Sequence, residues 1–318
     1  MRALRVDNRN VQLAEVRMPD ANSEALVRVL KSGICNTDLE IARGYAGFAG
    51  TIGHEFVGVV EASHDTPEIV GKRVVGEINV GCGTCQLCLA EDPRHCPTRT
   101  VLGIHGRDGA HADFLKLPTR NLVAVPDIVS DASAVFAEPL AAANGISERV
   151  SVGKSTRVAV IGDGKLGLLC AMTMRLRADS VLLVGKHPEK MSIVQKLGVF
   201  TLLIGKESLP AKSLDIVIEA SGSESGFATA LDLVKPQGKI VLKSTFHGTG
   251  NWDTSRVVVD EISIVGSRCG RLAPAVELLA SGKVKVDDLI SEEYRLQDGV
   301  AAFEQAGKRG ALKILLRP

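Results

Sequence analysis

Through the middle of the chain, short unbroken apolar runs alternate with longer amphipathic stretches. Val158, Val160 and Ile161 in TRVAVIG form a β-branched run, followed by GDGKLG and then the apolar stretch LLCAMTM. The series continues through SVLLVGKHPEK, FTLLIG, LDIVIEASG, GKIVLKST and ISIVGS, each with a β-rich core of four to six residues. Helix-compatible segments separate the first four of these, and a longer loop precedes the last. Strand and helix patterns in alternation predict a doubly wound parallel sheet, an α/β fold. No internal repeat or low-complexity linker interrupts it.

The turn after the first strand carries Gly162, Gly164 and Gly167 in the spacing GxGxxG. The first glycine permits the tight turn, the second lets a pyrophosphate approach, and the third allows close packing of helix on strand. The helix that follows would present its N-terminal N–H groups and dipole to the phosphates. Lys165 adds positive charge to this loop. The second strand bears on the choice of dinucleotide. NAD sites place Asp or Glu at its C-terminal end to bond the ribose 2′-hydroxyl. Here the strand ends in Gly185-Lys186-His187; Asp179 lies at its other end and Glu189 lies past the turn. A strand end without a carboxylate favours NADP over NAD, with Lys186 and His187 as partners of a 2′-phosphate and Lys190 farther off. Ser221 and Gly222 follow DIVIEA, and Ser244 and Thr245 follow IVLK. Both pairs fall at the carboxyl edge of the sheet and are cofactor-contact candidates.

Composition narrows the class. A chain of 318 residues is long enough for about two domains, and 45% hydrophobic with 24% charged residues excludes global disorder. Lys and Arg total 38 against 37 Asp and Glu, a net charge of +1 that gives no general attraction to nucleic acid or to an anionic membrane. Aromatics at 3% do not furnish a stacking platform for single-stranded nucleic acid. No uncharged apolar stretch reaches the ~18 residues of a membrane span, and MRALRVDNRN lacks the apolar core of a signal peptide. The expectation at this point is a cytoplasmic enzyme or binding protein, with no nucleic-acid or membrane partner.

Cysteine usage points to metal. There are seven cysteines, an odd number that argues against a disulfide framework. Cys82, Cys85, Cys88 and Cys96 fall within fifteen residues in CGTCQLCLAEDPRHC. Four thiolates so close together suit a closed tetrahedral zinc site of structural type, with Gly81 and Gly83 helping the backbone curl. Cys170 reads as a core residue of an apolar helix, and Cys269 has no metal-type neighbour in sequence. A second cluster emerges from separate segments: Cys35 in SGICNTDLE, His54 and Glu55 in TIGHEFVGVVE, and Glu138 in VFAEPLAAA. An acid inside an apolar segment is rarely buried without a partner. Cys, His and one carboxylate leave a fourth position open, the pattern of a catalytic zinc.

The segments GICNTD, GHEFVGVVE, GKRVVGEINVGCGTCQLC and DGAHADFLKLP, continued through AVIGDGKLG to the C-terminus, resemble the zinc-dependent alcohol dehydrogenase branch of the medium-chain dehydrogenase/reductase family over essentially the whole chain. The resemblance implies a GroES-like β-rich catalytic domain at about residues 1–125, rejoined by residues 267–318, and a Rossmann domain between them at 126–266. It implies reversible oxidation of an alcohol to a ketone or aldehyde, with zinc as Lewis acid and a nicotinamide taking the hydride. Cys35 and His54 become catalytic-zinc ligands, with Glu55 or Glu138 as the third, and one structural zinc is held by the four clustered cysteines. Asp38 resembles the carboxylate that orients the ligand imidazole. Thr37 matches the hydroxyl that bonds the substrate oxygen and carries its proton outward. Glu40 stands near the place where many relatives have a relay histidine. That departure favours the polyol, sugar and threonine dehydrogenase side of the family. Tyr45, Phe48 and His105 are possible pocket residues. An edge strand in SRVVVDEISIVGS implies a homodimer or homotetramer. Three other readings compete: an NAD-linked threonine-type or polyol dehydrogenase, a redox-inactive dinucleotide-binding protein, and a zinc module that binds nucleic acid.

Overall fold

The computed structural model describes residues 1–20, 24–208, 210–244 and 253–318, so the expected cofactor contact Thr245 lies outside the described residues. The chain divides into two units, Met1–Glu138 with Leu272–Pro318, and Pro139–Arg271.

The first unit is built on a long strand, β1 (Ala25–Ile34), which leads into a short helix, α1 (Asn36–Ala42). It continues through β2 (Glu55–Ala62), β3 (Arg73–Gly76), β4 (Phe114–Leu117) and β5 (Leu122–Ala124). Alternation along β1 turns Ala25, Val27 and Val29 into a core with Phe56, Val60, Val74, Leu115 and Leu117. That pattern is the mark of an antiparallel sheet with one face packed.

The second unit is a parallel sheet. Its strands are β6 (Arg157–Ile161), β7 (Ser180–Gly185), β8 (Phe200–Leu203), β9 (Leu214–Glu219), β10 (Val234–Leu242) and β11 (Ser263–Gly266), with helix α2 (Lys165–Arg175) directly after β6. They lie in the order β8-β7-β6-β9-β10-β11, and every pairing is parallel. This is the Rossmann order, with the strand order reversing beside β6. Central strands covered on both faces have no polar side, so β6 buries four of its five residues in succession. Cys170 is fully buried in α2 and packs as a core residue.

The chain then returns to the first sheet as β12 (Ile290–Arg295) and β13 (Lys313–Arg317). Its order is β5-β3-β2-β1-β13-β12, with β4 also on β1. The boundaries between units differ from those expected at 125/126 and 266/267. Residues 126–138 stay with the first unit, where Arg73 pairs with Asp131 (2.6 Å) and donates to the carbonyls of Pro126 (2.9 Å) and Val129 (2.8 Å). Residues 267–271 stay with the second. Lys243 Nζ donates there to the carbonyls of Ser267 (3.0 Å) and Arg268 (2.8 Å), and the Arg271 N–H donates to Glu148 (3.0 Å).

The joint between β6 and α2 has no spare room. A Cβ on Gly167 would lie 1.9 Å from the carbonyl oxygen of Gly162. Replacing Gly167 with Ala should therefore push the helix off the sheet and cost on the order of 3 kcal/mol, as for an overpacked core. Urea denaturation followed by circular dichroism checks this; an unshifted midpoint would contradict the packing described.

Candidate active site and dinucleotide cradle

Cys35 stands between β1 and α1 as the N-cap of the helix. Its N–H donates to Asp38 Oδ2 at 2.8 Å, which ties the carboxylate of α1 back over the helix start. His54 immediately precedes β2 and Glu55 opens it, both buried. The Sγ of Cys35, a ring nitrogen of His54 and a carboxylate oxygen of Glu55 all lie within 4.8 Å of one another. A thiolate, an imidazole and a carboxylate in that volume are a donor set suited to zinc.

The groups around this triad are charged and buried, and each has a counterpart. Asp38 is fully buried between two histidines: His54 Nδ1 is 3.3 Å from Oδ1, and His111 Nε2 is 3.5 Å from Oδ2. Burial alone would raise the Asp38 carboxyl, but the charges and bonds of His54 and His111 outweigh it and hold it well below the usual carboxylate range. Burial would likewise lower His54, yet Asp38 and Cys35 hold it well above its ordinary value of 6.5. With Nδ1 turned to Asp38, Nε2 is the ring nitrogen left for a metal. His111 is fixed in turn by Ser32, whose Oγ is 2.8 Å from Nδ1.

Glu55 meets Lys313, a fully buried lysine on β13. The sheet explains the meeting. Gly33 of β1 pairs with Glu55 on one side and Leu315 on the other. A Cβ at Gly33 would come 2.7 Å from Glu55 Oε2 and 3.0 Å from Lys313 Cδ, so the bare glycine leaves the lane through which the two side chains join. Lys313 also lies 5.6 Å from the centroid of the Phe136 ring.

Glu138 is not among the groups within 4.8 Å of one another, but its carboxyl senses them. Burial pushes it up to about 7 against the attraction of His54, and the neighbouring Glu55 and Glu77 carboxylates add to the rise. Thr37 Oγ1 lies 3.7 Å from Cys35 Sγ. Glu40 is a turn farther along α1, where it is paired with Arg43 at 2.6 Å. Of the possible pocket residues, Tyr45 and Phe48 pack on the apolar cluster of Leu4, Ile34, Ile41 and Ile52, while His105 is exposed.

The Sγ atoms of Cys82, Cys85, Cys88 and Cys96 also lie within 4.8 Å of one another. Gly83 takes a left-handed φ of +80°, and a Cβ on Gly81 would stand 2.6 Å from Cys88 Sγ, so the knuckle needs both glycines. N–H groups of Thr84 (3.5 Å) and Cys85 (3.3 Å) point at Cys82 Sγ. Together with the Thr84 hydroxyl they hold that thiol down at about 5, a thiolate ready for a cation.

In the second unit, Gly162 turns with φ +109° and Gly164 caps α2. A Cβ on Gly164 would meet nothing within 4 Å, an open cradle at a helix N-terminus that fits a pyrophosphate. Lys165 begins that helix and is half-buried. Ser221 and Gly222 follow β9 beside the first glycine: a Cβ on Gly162 would touch the Ala220 carbonyl and Ser221 Cα at 2.9 Å. Ser221 Oγ is bonded to Glu219, and the Ser244 N–H donates to the Glu219 carbonyl at 3.3 Å. The end of β7 departs from expectation. Asp163, between the first two glycines, reaches across to Lys186 and His187 and accepts both of their N–H groups at 2.6 Å. A carboxylate therefore does stand at this strand end, supplied by the loop.

Three side chains of these sites were missed in the linear reading: His111, Asp163 and Lys313. A lysine among the apolar residues of ALKILL was a visible signal for the last. Asp163 and His111 gave none, since their partners are far off in sequence.

Two family models match the chain: the alcohol dehydrogenase GroES-like domain at residues 21–127 and the zinc-binding dehydrogenase domain at residues 166–281. An L-threonine 3-dehydrogenase of Chelativorans sp. is 31% identical, with 93% of each chain covered. A sorbitol dehydrogenase of Halalkalibacterium halodurans is 28% identical over 92% of this chain and 91% of the relative. The structure of the alcohol dehydrogenase TADH from Thermus sp. ATN1 superposes with a TM-score of 0.90 at 28% identity, covering 100% of this chain and 99% of that one. Fold and site together define a zinc-type, dinucleotide-dependent oxidoreductase. The chain belongs to the zinc-dependent alcohol dehydrogenase branch of the medium-chain dehydrogenase/reductase family, and it is an NAD(P)-dependent alcohol dehydrogenase. No helix among the described residues is long and apolar enough to cross a membrane.

Glu138 generates a pH prediction for the metal-free protein. Its folded pKa is raised, so the folded state holds the proton more tightly than the unfolded chain. The stabilisation is complete below its ordinary value of 4.5 and is lost as pH rises toward about 7. His54, also raised, acts in the same direction from about its ordinary 6.5 upward. Melting temperature of chelator-treated protein should fall between about pH 5 and 7, and the fall should be smaller in Glu138→Gln. Equal slopes in the two proteins would contradict the burial assigned to Glu138.

Proposed function

We propose that the enzyme interconverts a secondary alcohol, polyol or sugar hydroxyl with its ketone or aldehyde by hydride transfer to a nicotinamide dinucleotide. The observation that carries this reading is the convergence of Cys35, His54 and Glu55, with one ligand atom of each within 4.8 Å of the others and all three from the first unit. These three would hold a catalytic zinc, with Glu138 beside them as the carboxylate that can exchange with Glu55. When bound, that zinc supplies Lewis acidity that polarises the substrate oxygen.

The remaining work falls to the protein's own groups. Asp38 aims the His54 ring, and His111 with Ser32 keeps Asp38 in place. Lys313 neutralises Glu55 and so keeps a second anion from crowding the thiolate. Thr37 receives the hydroxyl proton of the substrate and passes it outward along α1 toward Glu40, which is paired with Arg43. Gly162, Gly164 and Gly167 seat the pyrophosphate, and Lys165 adds charge beside it. Cys82, Cys85, Cys88 and Cys96 would hold a second zinc of structural type, away from the chemistry.

Polyols and amino alcohols are the favoured substrates, because the relatives named sorbitol and L-threonine dehydrogenase match nearly the full length. A cytoplasmic homodimer or homotetramer, joined through the β11 edge, is the proposed form; exposed Val258, Val259 and Ile264 beside that edge favour it. For the dinucleotide, Lys186 stands where a 2′-phosphate partner was expected, and Asp163 is set against it.

Elemental analysis with turnover tests this. Purified enzyme should carry about two zinc ions per chain, and His54→Asn should retain about one while losing turnover. Retained turnover in His54→Asn would end the reading. Thr37→Val should lower kcat on the order of a hundredfold while Thr37→Ser stays near wild type, as for loss of a proton-transfer group. A pH–rate profile unchanged by Thr37→Val would remove Thr37 from the proton path.

A further inference from the structure

The Asp163 carboxylate is almost enclosed, with its side chain 10% exposed, although it belongs to a surface loop. Its Oδ2 accepts the N–H groups of Lys186 and His187, both at 2.6 Å. His187 Nδ1 closes the arrangement at 3.0 Å from Oδ1 and 3.1 Å from Oδ2. Burial opposes ionisation here, but the His187 ring and the two backbone donors outweigh it and hold the carboxyl below its ordinary value. The group is an anion, and Oδ1 keeps a lone pair beyond its contact with the ring.

The strand end has room for only one such anion. A Cβ on Gly185 would lie 2.5 Å from Asp163 Oδ2 and 2.8 Å from Asp163 Cβ. An Asp or Glu at the end of β7 and an aspartate at position 163 therefore exclude each other. The missing carboxylate of the strand and the unusual one of the glycine loop are two sides of one substitution in space. A ribose seated at this strand end would find an acceptor for its hydroxyl groups, and a 2′-phosphate would find a like charge.

We infer that Asp163 sets the dinucleotide preference of this enzyme, accepting the ribose 2′-hydroxyl of NAD(H) and excluding the 2′-phosphate of NADP(H). This rests on the dinucleotide reading of the glycine loop. Lys186 contributes its backbone N–H to Asp163, and its ammonium takes no part in the choice. The argument for NADP took the strand end to be free of anions, and Asp163 stands there.

Equilibrium titration of the full-length zinc-loaded protein with NADH and with NADPH, followed by nicotinamide fluorescence without substrate, tests the assignment. Wild type should bind NADH at least about tenfold more tightly, and Asp163→Asn, which keeps the shape and removes the charge, should bring the two constants within about threefold. Asp163→Gly with Gly185→Asp returns the carboxylate to the strand and should restore the wild-type order. Lys186→Ala should leave the ratio within about threefold of wild type. Equal or tighter NADPH binding by wild type overturns the inference, as does an unchanged ratio in Asp163→Asn. A tenfold loss of NADPH affinity in Lys186→Ala would also overturn it. Failure of wild type to bind either nucleotide would instead overturn the reading of the glycine loop.

Discussion

Everything in the catalytic unit is arranged around one electrostatic constraint: several charges are buried within a few residues of one another, and none can be left alone. An isolated ion in a protein interior is costly, and removing one member of a buried pair leaves that cost uncovered. Asp38 and His54 answer each other, His111 answers the second oxygen of Asp38, and Lys313 answers Glu55. The Glu55–Lys313 contact joins residues 258 positions apart. It ties the returning C-terminal strand to the first sheet, since the cation beside Glu55 is on the last strand. Antiparallel pairing of β13 with β1 puts it there.

The same constraint fixes the order of the local parts. Asp38 can accept the Cys35 N–H because both belong to the first turn of α1. It can reach His54 because β2 lies next to β1 and begins opposite Gly33. A short helix after one strand and the first residues of the adjacent strand thus present sulfur, nitrogen and oxygen to one point. Cys35 and His54 each stand one residue outside a strand of the ladder that pairs Gly33 with Glu55, so the paired strands hold their positions close, as a site with little tolerance for ligand displacement needs.

In the dinucleotide unit the governing quantity is space. Gly167 exists because the helix backbone touches Gly162, Gly164 because the cradle must stay open, and Gly185 because Asp163 fills its place. The first two positions follow from the Rossmann geometry itself. The third comes from the side chain lying over it. A charge at a strand end is thus not read from the strand alone, because a neighbouring loop lies within side-chain reach of it.

The chain on its own established the parallel sheet, the glycine turn, the cysteine knuckle and the family, because these depend on local periodicity and short spacings. The six runs from Val158 to Gly266 fall on strands, and Cys35, His54 and Glu55 do converge. The charge balance of the buried site and the anion at the end of β7 depended on tertiary structure. Lys313, His111 and Asp163 find their partners through sheet pairing and loop approach, across separations from 23 to 258 residues. Linear spacing carries no information on which side chain will fill a given gap. The boundary residues 126–138 and 267–271 were likewise decided by side chains that hold them, Arg73 and Lys243 among them. What the sequence by itself determined is the chemistry on offer. Which charges meet, and that an anion stands at the end of β7, was decided by the packing, because burial makes every charge dependent on a partner that only folding brings near.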